Sequence, residues 1–455
     1  MANAVIWRAD TILTDARTTL RDAEVITQDG VIQEVRSRTA AGHDTVRDLG
    51  NAILMPGLVN VHTHLDYTAM RGAVEDVSFF PWIRELTSRS ALLTPDDWLA
   101  SAVWGAAECA AGGITTIGDC TPTGNAAEAA ALLGLGGVIY QELFGIDPAG
   151  QSRDIAMQEL EEKLARLRRL TRGTGLHIGI SPHSPYTVRN ELLRATARYA
   201  NRHTLPLCIH AAESLPECQL IRTGQGEIAD SLRRRGINWK PTGETTVQYL
   251  DDCGLLGKRT LLVHGVQVAA ADLTIAQRSG LAWAHCPRSN AKLGNGVAPL
   301  MLLGPRIGLG TDSAVSSNTL DMFEEMRFAV YMQRASRRQI EVVSANQAVG
   351  WATEGGATAL GINGRTGTLR PGSSADICAV SLNSLTCQPA YDACSALVYA
   401  CSARDVVVTV SGGRVIYDTS LASDAMDRFP EIDLRSWARS LEAAASRIKQ
   451  WKRAE

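Results

Sequence analysis

The chain has 455 residues, of which 45% are hydrophobic and 20% charged, and its formal net charge is −3. These values are typical of a soluble globular protein with room for one large domain or two to three ordinary ones. They favour neither nucleic acid nor an anionic membrane surface as a partner, which leaves a small-molecule enzyme open.

The amino-terminal stretch has no basic start followed by an apolar core. No segment approaches the roughly 20 apolar residues that span a bilayer, so we expect a cytoplasmic protein without a membrane partner. Ten cysteines include no CxxC pair, which favours reduced thiols over a disulfide framework. Cys208 and Cys286 lie near the candidate site discussed below, and we expect packing roles for both.

Short strands are predicted over residues 5 to 37, where "TQDGVIQEV" contains an Asp-Gly turn typical of a hairpin. Eight apolar runs then alternate with helical patterns such as "NELLRATARYANRH", which predicts a (β/α)8 TIM-like barrel over residues 57 to 369. The runs are "GLVNVHTH", "GITTIGDCT", "GGVIYQELFG", "LHIGISPHS", "LPLCIHAAES", "RTLLVHGV", "GLAWAHCP" and "RIGLGTDSA".

Strands return near the carboxyl end, in "ADICAVS" and in "DVVVTVSGGRVIYD", which folds about Gly412 and Gly413. We expect residues 1 to 56 and 370 to 420 to form one small β-sandwich domain from both chain ends. The last segment, residues 421 to 455, is predicted to be a helical extension that docks on the body. Its apolar stripe is Trp437, Leu441, Ala445 and Ile448.

Histidines concentrate at the predicted strand ends. The first run ends in His62 and His64, which point to one face about 7 Å apart along a strand. Such a pair suits a metal, although an isolated one also fits an exposed polar strand end. The carboxyl ends of barrel strands form a single face, so further groups at other strand ends favour the metal. These groups are His183, His210, His264, His285 and Asp312.

Three imidazoles and one carboxylate form the predicted metal site, with one metal per chain: His62, His64, His210 and Asp312. Zinc is the first choice for this nitrogen-rich set, with iron(II) or manganese as alternatives. A catalytic zinc lowers the pKa of its bound water from 15.7 to about 7. The remaining histidines, His43, His177 and His203, are expected to be structural or exposed.

Glu213 lies three residues after His210 in "IHAAES" and is the predicted proton carrier. Its alternative role is that of a carboxylate favoured by a helix amino terminus. His264 is either a fifth ligand or a ring that orients the hydroxide and stabilises developing charge, and we favour the second. Substrate contacts are expected from His183, Glu213, Trp82 and the segment Arg288 to Asn290, including Asn290.

Five motifs together resemble the amidohydrolase superfamily, and more narrowly its branch of S-adenosylhomocysteine and methylthioadenosine deaminases with related chlorohydrolases. They are "HTH" at 62 to 64, "HAAES" at 210 to 214, "VHGV" at 263 to 266, "HCPRSNAKLGNGVAP" at 285 to 299 and "GLGTDSAVSSN" at 308 to 318. "MPGLVNVHTH" and "GTLRPGSSADI" resemble the borders between barrel and β domain in that branch, so the resemblance covers nearly the whole chain.

The resemblance implies the same four metal ligands, with Glu213, His264 and Asp312 handling protons. It implies that His183, in "PHSPYTV", meets the substrate heterocycle. Two positions depart from the family. The acidic residue that grips ribose hydroxyls falls near Ser90, and an arginine after the third strand is replaced around Glu142.

We therefore expect a metal-dependent deaminase that releases ammonia from an aminated heterocycle, of the purine nucleoside type. Adenosylhomocysteine, methylthioadenosine and an aminodeoxyfutalosine-like nucleoside are the candidate substrates, and a homo-oligomer is expected. The alternative is a chlorohydrolase or N-dealkylating enzyme acting on a triazine-like ring. A cytidine-deaminase zinc site is disfavoured, since HxE and PCxxC are absent. A non-enzymatic barrel would be expected to lack one ligand or Glu213.

Overall fold

The computed structural model describes residues 4–39, 45–147 and 150–451. Seven strands come first: β1 (Val5–Arg8), β2 (Thr11–Asp15), β3 (Thr18–Leu20), β4 (Ala23–Gln28), β5 (Val31–Ser37), β6 (Thr45–Asp48) and β7 (Ala52–Pro56). The predicted Asp-Gly turn joins β4 to β5, because Asp29 and Gly30 both have the positive φ that a two-residue hairpin requires. His43 lies outside the described residues.

Eight parallel strands form the next sheet, and each of the eight predicted runs contributes one of them. They are β8 (Leu58–Thr63), β9 (Ile114–Thr121), β10 (Gly136–Leu143), β11 (Leu176–Pro182), β12 (Leu207–Ala211), β13 (Thr260–His264), β14 (Ala282–His285) and β15 (Ile307–Leu309). The strands are hydrogen-bonded in chain order, as in a (β/α)8 barrel. Their residues are almost all buried, because helices cover the outside.

Hydrogen bonds just beyond β15 close the barrel onto β8. The Asp312 backbone N–H donates to His62 O at 3.0 Å. Asn60 and Thr311 exchange two more bonds, one from each residue, at 2.8 and 3.0 Å. The last strand is therefore held directly beside the first, which brings the carboxylate of Asp312 to His62 and His64 at the end of β8.

Helices follow most of the barrel strands. The first fourteen are α1 (Phe79–Ser90), α2 (Pro95–Ala111), α3 (Asn125–Leu133), α4 (Arg153–Leu170), α5 (Asn190–His203), α6 (Leu215–Thr223), α7 (Glu227–Arg234), α8 (Thr246–Asp252), α9 (Ala270–Ser279), α10 (Pro287–Lys292), α11 (Ala314–Ser317), α12 (Met322–Arg337), α13 (Ala345–Trp351) and α14 (Glu354–Ala359). The predicted helix "NELLRATARYANRH" coincides with α5. A 3₁₀ helix, Leu65–Met70, directly follows β8.

The carboxyl-terminal part adds β16 (Ile377–Ser381), α15 (Ala393–Tyr399), β17 (Val406–Ser411), β18 (Arg414–Asp418) and α16 (Leu434–Lys449). These strands join the amino-terminal ones in a six-stranded sheet of order β18-β17-β16-β7-β2-β3. A second sheet, β5-β4-β1-β6, packs on it through an apolar core that includes Trp7, Ile12 and Val408. The predicted barrel with a β-sandwich from both chain ends is confirmed. The domain limits given above remain a prediction.

Helix α16 packs against α2 and against the 3₁₀ helix that follows β8. Its buried residues are Leu434, Ala444 and Ile448, whereas Ala445 of the predicted stripe is only half-buried. Arg447 also forms a 2.6 Å ion pair with Asp97 at the start of α2. Among the described residues, no helix is long and apolar enough to cross a membrane.

Candidate active site

Six of the seven predicted strand-end groups lie together at the carboxyl face of the barrel. The ring centroids of His62 and His64 are 4.8 Å apart, and those of His62 and His210 are 4.9 Å apart. His183 lies 4.7 Å and His264 5.6 Å from the His210 centroid. Asp312 Oδ1 is 3.4 Å from His62 Nε2 and 3.6 Å from His64 Nε2.

His285 is the group that stays outside this cluster. It is the last residue of β14 and is 1% exposed, yet it is not part of the cavity wall. Of the other two described histidines, His177 is exposed and accepts a hydrogen bond from Arg365, and exposed His203 packs on Tyr199. The positions of His177 and His203 agree with the expectation that both are structural or exposed. His285 is buried but, like them, lies outside the histidine cluster.

The hydrogen bonds of the histidines leave their Nε2 atoms free. His64 Nδ1 donates to the carbonyl of Cys120 at 2.8 Å, and His210 Nδ1 donates to the carbonyl of His183 at 2.8 Å. A carbonyl only accepts, so each Nδ1 carries the hydrogen and each Nε2 presents a lone pair. His62 Nε2 is buried and has no hydrogen-bond partner among the described residues. Metal-binding histidines typically have this arrangement.

Burial and charge support the same donor set. Burial and the neighbouring His62 lower the pKa of His64 to about 3. Burial and the surrounding imidazoles hold the pKa of His210 well below its ordinary value. Burial would also lower the pKa of His62, but Asp312 and Cys208 raise it to about 10. A cation placed between His62 and Asp312 would replace that proton, so the residues fit a first-row divalent metal.

Two serines orient the carboxylate of Asp312. Ser289 Oγ and Ser316 Oγ donate to Oδ2 at 2.6 and 2.8 Å, which turns Oδ1 toward the histidines. Burial alone would raise the pKa of Asp312, but the nearby imidazoles lower it well below its usual range. The Asp312 backbone has a φ of +56°, which is uncommon for a residue with a side chain. Sequence reasoning did not identify either serine.

Glu213 lies just beyond β12 and does not belong to the donor set. It is 5% exposed, and its Oε2 lies 3.8 Å from His264 Nε2. Asn295 Nδ2 donates to its Oε1 at 3.1 Å. Burial, Asp312 and Glu217 together hold the pKa of Glu213 well above its ordinary value. A buried carboxyl in this position is a candidate to hold and release a proton.

Glu217 fixes the loop that carries Glu213. Its carboxylate accepts the backbone N–H groups of Ala212 and Glu213 at 2.8 and 3.0 Å. The residue is fully buried near the start of α6. Sequence reasoning missed this role, and the available signal was a second glutamate one helical turn after the first.

Asn290 positions His264. Its side-chain oxygen accepts the hydrogen of His264 Nδ1 at 3.0 Å, so His264 Nε2 is an acceptor facing the cluster. The backbone of His264 has a φ of +76°, and such strain often accompanies functional sites. Asn290 does not line the cavity, and Arg288 is buried against Glu325. Direct substrate contact by Asn290 stays a prediction, and the geometry favours a positioning role.

A cavity of about 570 Å³ opens above the cluster. Three residues predicted to contact substrate line its wall: His183, Trp82 and Glu213. Phe144 and Tyr186 line it as well. Trp82 belongs to α1, and α16 packs behind it in the same apolar cluster. The two positions that depart from the family pattern, Ser90 and Glu142, also line the cavity.

Glu142 is the more unusual of these two. It is 2% exposed, near the end of β10. Burial and the nearby carboxylates of Asp66 and Asp119 hold its pKa well above the ordinary value. Ser90, by contrast, carries no charge, and its hydroxyl donates a hydrogen bond to the carbonyl of Thr87 within α1.

All ten cysteines are free thiols, and nine of them are buried. Cys120 Sγ and Cys208 Sγ lie 3.8 and 4.0 Å from His62 Nδ1, on the barrel side of the ring. Cys286 is buried next to the start of α10. Packing roles for Cys208 and Cys286 agree with these positions, since neither thiol lines the cavity.

Comparison with known proteins gives consistent matches. The chain is 32% identical over 404 residues to a 5-methylthioadenosine/S-adenosylhomocysteine deaminase of Thermococcus kodakarensis, covering 87% of this chain and 89% of that protein. It is also 31% identical over 406 residues to a 5'-deoxyadenosine deaminase of Methanothermobacter thermautotrophicus, covering 87% of this chain and 90% of that protein.

A solved structure and a family model agree with these relatives. The crystal structure of an adenosine deaminase from Xanthomonas campestris with bound zinc superposes with a TM-score of 0.84 at 25% identity, covering 98% of this chain and 99% of that one. The model of the amidohydrolase family matches residues 53–416, which is most of the sequence. This chain therefore belongs to the amidohydrolase family.

Proposed function

We propose that this chain is a metal-dependent hydrolytic deaminase that releases ammonia from an aminated heterocycle of the purine nucleoside type. The observation that carries the proposal is Glu213, a buried carboxyl outside the donor set that lies 3.8 Å from His264. Hydrolytic deamination needs one group that takes a proton from water and returns it to the ring. Family membership and the deaminases among the relatives support this assignment.

The metal would be held by three imidazole nitrogens and one carboxylate oxygen. We propose zinc because this donor set is rich in nitrogen, with iron(II) or manganese as the other candidates. When bound, the metal would supply the positive charge that acidifies the attacking water. The proposed ligands are His62, His64, His210 and Asp312.

Three side chains would then handle protons. Glu213 accepts a proton from the attacking water and delivers it to the ring nitrogen next to the attacked carbon. Asp312 accepts the second proton and passes it to the amine, which leaves as ammonia. His264 orients the water, because its Nδ1 hydrogen goes to Asn290 and its Nε2 accepts. One water is consumed, and the ring carbon exchanges an amine for an oxygen.

The cavity suits a nucleoside in size and character. Its volume of about 570 Å³ lies within the range common for small-molecule sites. His183 is expected to contact the heterocycle, since it lines the cavity and its ring centroid lies 4.7 Å from that of His210. Trp82 and Phe144 add apolar surface for the base or for the 5' substituent. Methylthioadenosine, 5'-deoxyadenosine, adenosylhomocysteine and an aminodeoxyfutalosine-like nucleoside are the substrates to test first.

The experiment loads the full chain with zinc and measures ammonia from these nucleosides and chloride from a chlorotriazine. We expect ammonia from at least one nucleoside and no chloride. Glu213→Gln serves as the control, because ammonia that persists in this variant does not come from the proposed chemistry. Chloride release without ammonia would replace the deaminase with the chlorohydrolase alternative.

A further inference from the structure

The cavity wall contains a buried carboxyl group, that of Glu142, with an oxygen that accepts no hydrogen bond from the described part of the chain. Glu142 is 2% exposed and lines the cavity, and its Oε1 has no hydrogen-bond partner among the described residues. Leaving a buried carboxyl oxygen without a donor costs free energy. Such a group in a native protein calls for a partner that binds to it.

The nearest imidazole and the two nearby carboxyl groups do not supply that partner. His64 Nδ1 is 3.8 Å from Glu142 Oε1, and its hydrogen already goes to the carbonyl of Cys120. Asp66 and Asp119 are also acceptors. The hydroxyls of two threonines donate to Asp66, and the Leu65 backbone N–H donates to Asp119. Among the described residues, none of these three groups donates a hydrogen bond to Glu142 Oε1.

The position of Glu142 indicates which part of a substrate would reach it. One of its carboxylate oxygens lies within 4.8 Å of ring nitrogens of His183 and His210. The carboxylate is therefore close to the metal-binding histidines. The arginines that line the same cavity, Arg84 and Arg235, are exposed at its solvent side. An atom that meets Glu142 would thus belong to the heterocycle rather than to a distant substituent.

We propose that Glu142 determines substrate specificity by accepting a hydrogen bond from the heterocycle, at an N–H other than the leaving amine. The substrate class is an aminated purine-type ring with a ring N–H or a second amino group. This inference rests on the proposed deaminase function. Adenine itself has no such donor, so a plain adenine ring leaves Glu142 without a partner. A site built to bind a donor discriminates strongly against a substrate that lacks it.

The test compares three nucleosides that differ at the ring. Adenosine has no extra donor, 2-aminoadenosine has a second amino group, and 8-oxoadenosine has a hydrogen on N7. In the zinc-loaded wild type, we expect kcat/KM for one donor-bearing nucleoside to exceed that for adenosine by about tenfold or more. Glu142→Leu should reduce that preference to about twofold or less. Glu142→Gln keeps one acceptor oxygen and should retain part of it.

A matched control is Ser231→Ala, which changes another polar residue of the cavity wall. This variant should keep the wild-type preference, and all four proteins should bind one metal per chain. Equal losses for all three nucleosides in Glu142→Leu would overturn the inference, since Glu142 would then serve the shared chemistry. Two metals in the wild type and one in Glu142→Gln would overturn it as well, by assigning Glu142 to a metal.

The inference and the deaminase proposal can fail separately. Ammonia release with no preference among the three nucleosides would overturn the inference and leave the deaminase in place. If no nucleoside releases ammonia, the proposed function fails. Calorimetric titration of the same nucleosides into wild type and Glu142→Leu then decides the inference. A binding preference that Glu142→Leu removes supports it, and binding without preference, or no binding, overturns it.

Discussion

His64 Nε2 and His210 Nε2 lie 3.2 Å apart, and each of these rings gives its Nδ1 hydrogen to a backbone carbonyl. Two nitrogen lone pairs therefore face each other in a buried space, with the Nε2 of His62 and the carboxylate of Asp312 beside them. Lone pairs repel at this distance. A cation shared by the four groups would remove the repulsion, and the carbonyls fix the rings in the orientation that a metal requires.

Substitution of a ligand histidine should release the metal. His62→Ala should lower the metal content from about one equivalent per chain to near zero and abolish activity, because three donors bind a divalent metal far more weakly than four. Elemental analysis after dialysis checks this. His285→Ala is the control, since His285 is buried at a neighbouring strand end but lies outside the cluster. Metal loss in the control, or retention in His62→Ala, would contradict the donor set.

Glu213→Gln should separate metal binding from proton transfer. Glutamine has nearly the shape of glutamate but cannot exchange a proton. We therefore expect the metal content to stay near one while turnover falls at least ~10²-fold, since general acid–base catalysis typically contributes 10² to 10⁴. Ammonia release and elemental analysis on the same preparation check both parts. Retention of most activity would move the proton-carrying role to His264 or Asp312.

Asn290→Leu should weaken catalysis through His264. Without the oxygen that accepts from Nδ1, the ring loses its fixed tautomer and orientation, so we expect kcat to fall about tenfold or more while KM changes little. Asn290→Asp keeps an acceptor oxygen and should restore part of kcat. If Asn290→Leu instead raised KM with kcat unchanged, Asn290 would contact substrate directly.

Glu217 should make the protein less stable as the pH rises. Burial raises its pKa to about 7 in the folded chain, above the ordinary value of 4.5. At pH 4 the carboxyl is mostly neutral in both states. Near neutral pH it is ionised in the unfolded chain, whereas burial disfavours its ionised form in the folded chain. Its contribution to stability is therefore lost between about pH 4.5 and 7, by up to ~3 kcal/mol.

The measurement compares urea unfolding of wild type and Glu217→Gln at pH 5 and pH 8, with the metal bound. The variant lacks this titration, so its stability relative to wild type should improve at the higher pH. Glu325→Gln offers a comparison, because burial raises the pKa of Glu325 to about 8 and its effect should extend to higher pH. An unchanged difference between the two pH values would contradict the prediction for Glu217.

The barrel could be predicted from sequence because local signals repeat. Each strand is a short apolar run followed by a helical pattern, and all eight runs correspond to observed strands. The meeting of His62, His210 and Asp312 follows from barrel geometry alone, since parallel strands end at one face. The Asp-Gly hairpin could be predicted for the same reason, because the two residues of its turn determine it.

Groups that act through side-chain partners were not predictable in the same way. Glu217 and Ser316 are ordinary polar residues in sequence, and only the fold brings them to Glu213 and Asp312. Asn290 is predicted to contact substrate, and only the fold shows that its side chain also accepts a hydrogen bond from His264 Nδ1. His285 ends β14 but does not line the cavity, because a strand-end position does not by itself point a ring into the cavity.

The pairing of β7 with β16 has a consequence for biosynthesis. Ile53 faces Val380 in this antiparallel pair. Strand β7 is synthesised early but can form this pair only after β16, near the other end of the chain, has been synthesised. Strand β8, which contains His62, begins two residues after β7. Contacts between distant parts of a chain form slowly. The face that carries the predicted metal ligands would therefore be completed only after synthesis of most of the chain.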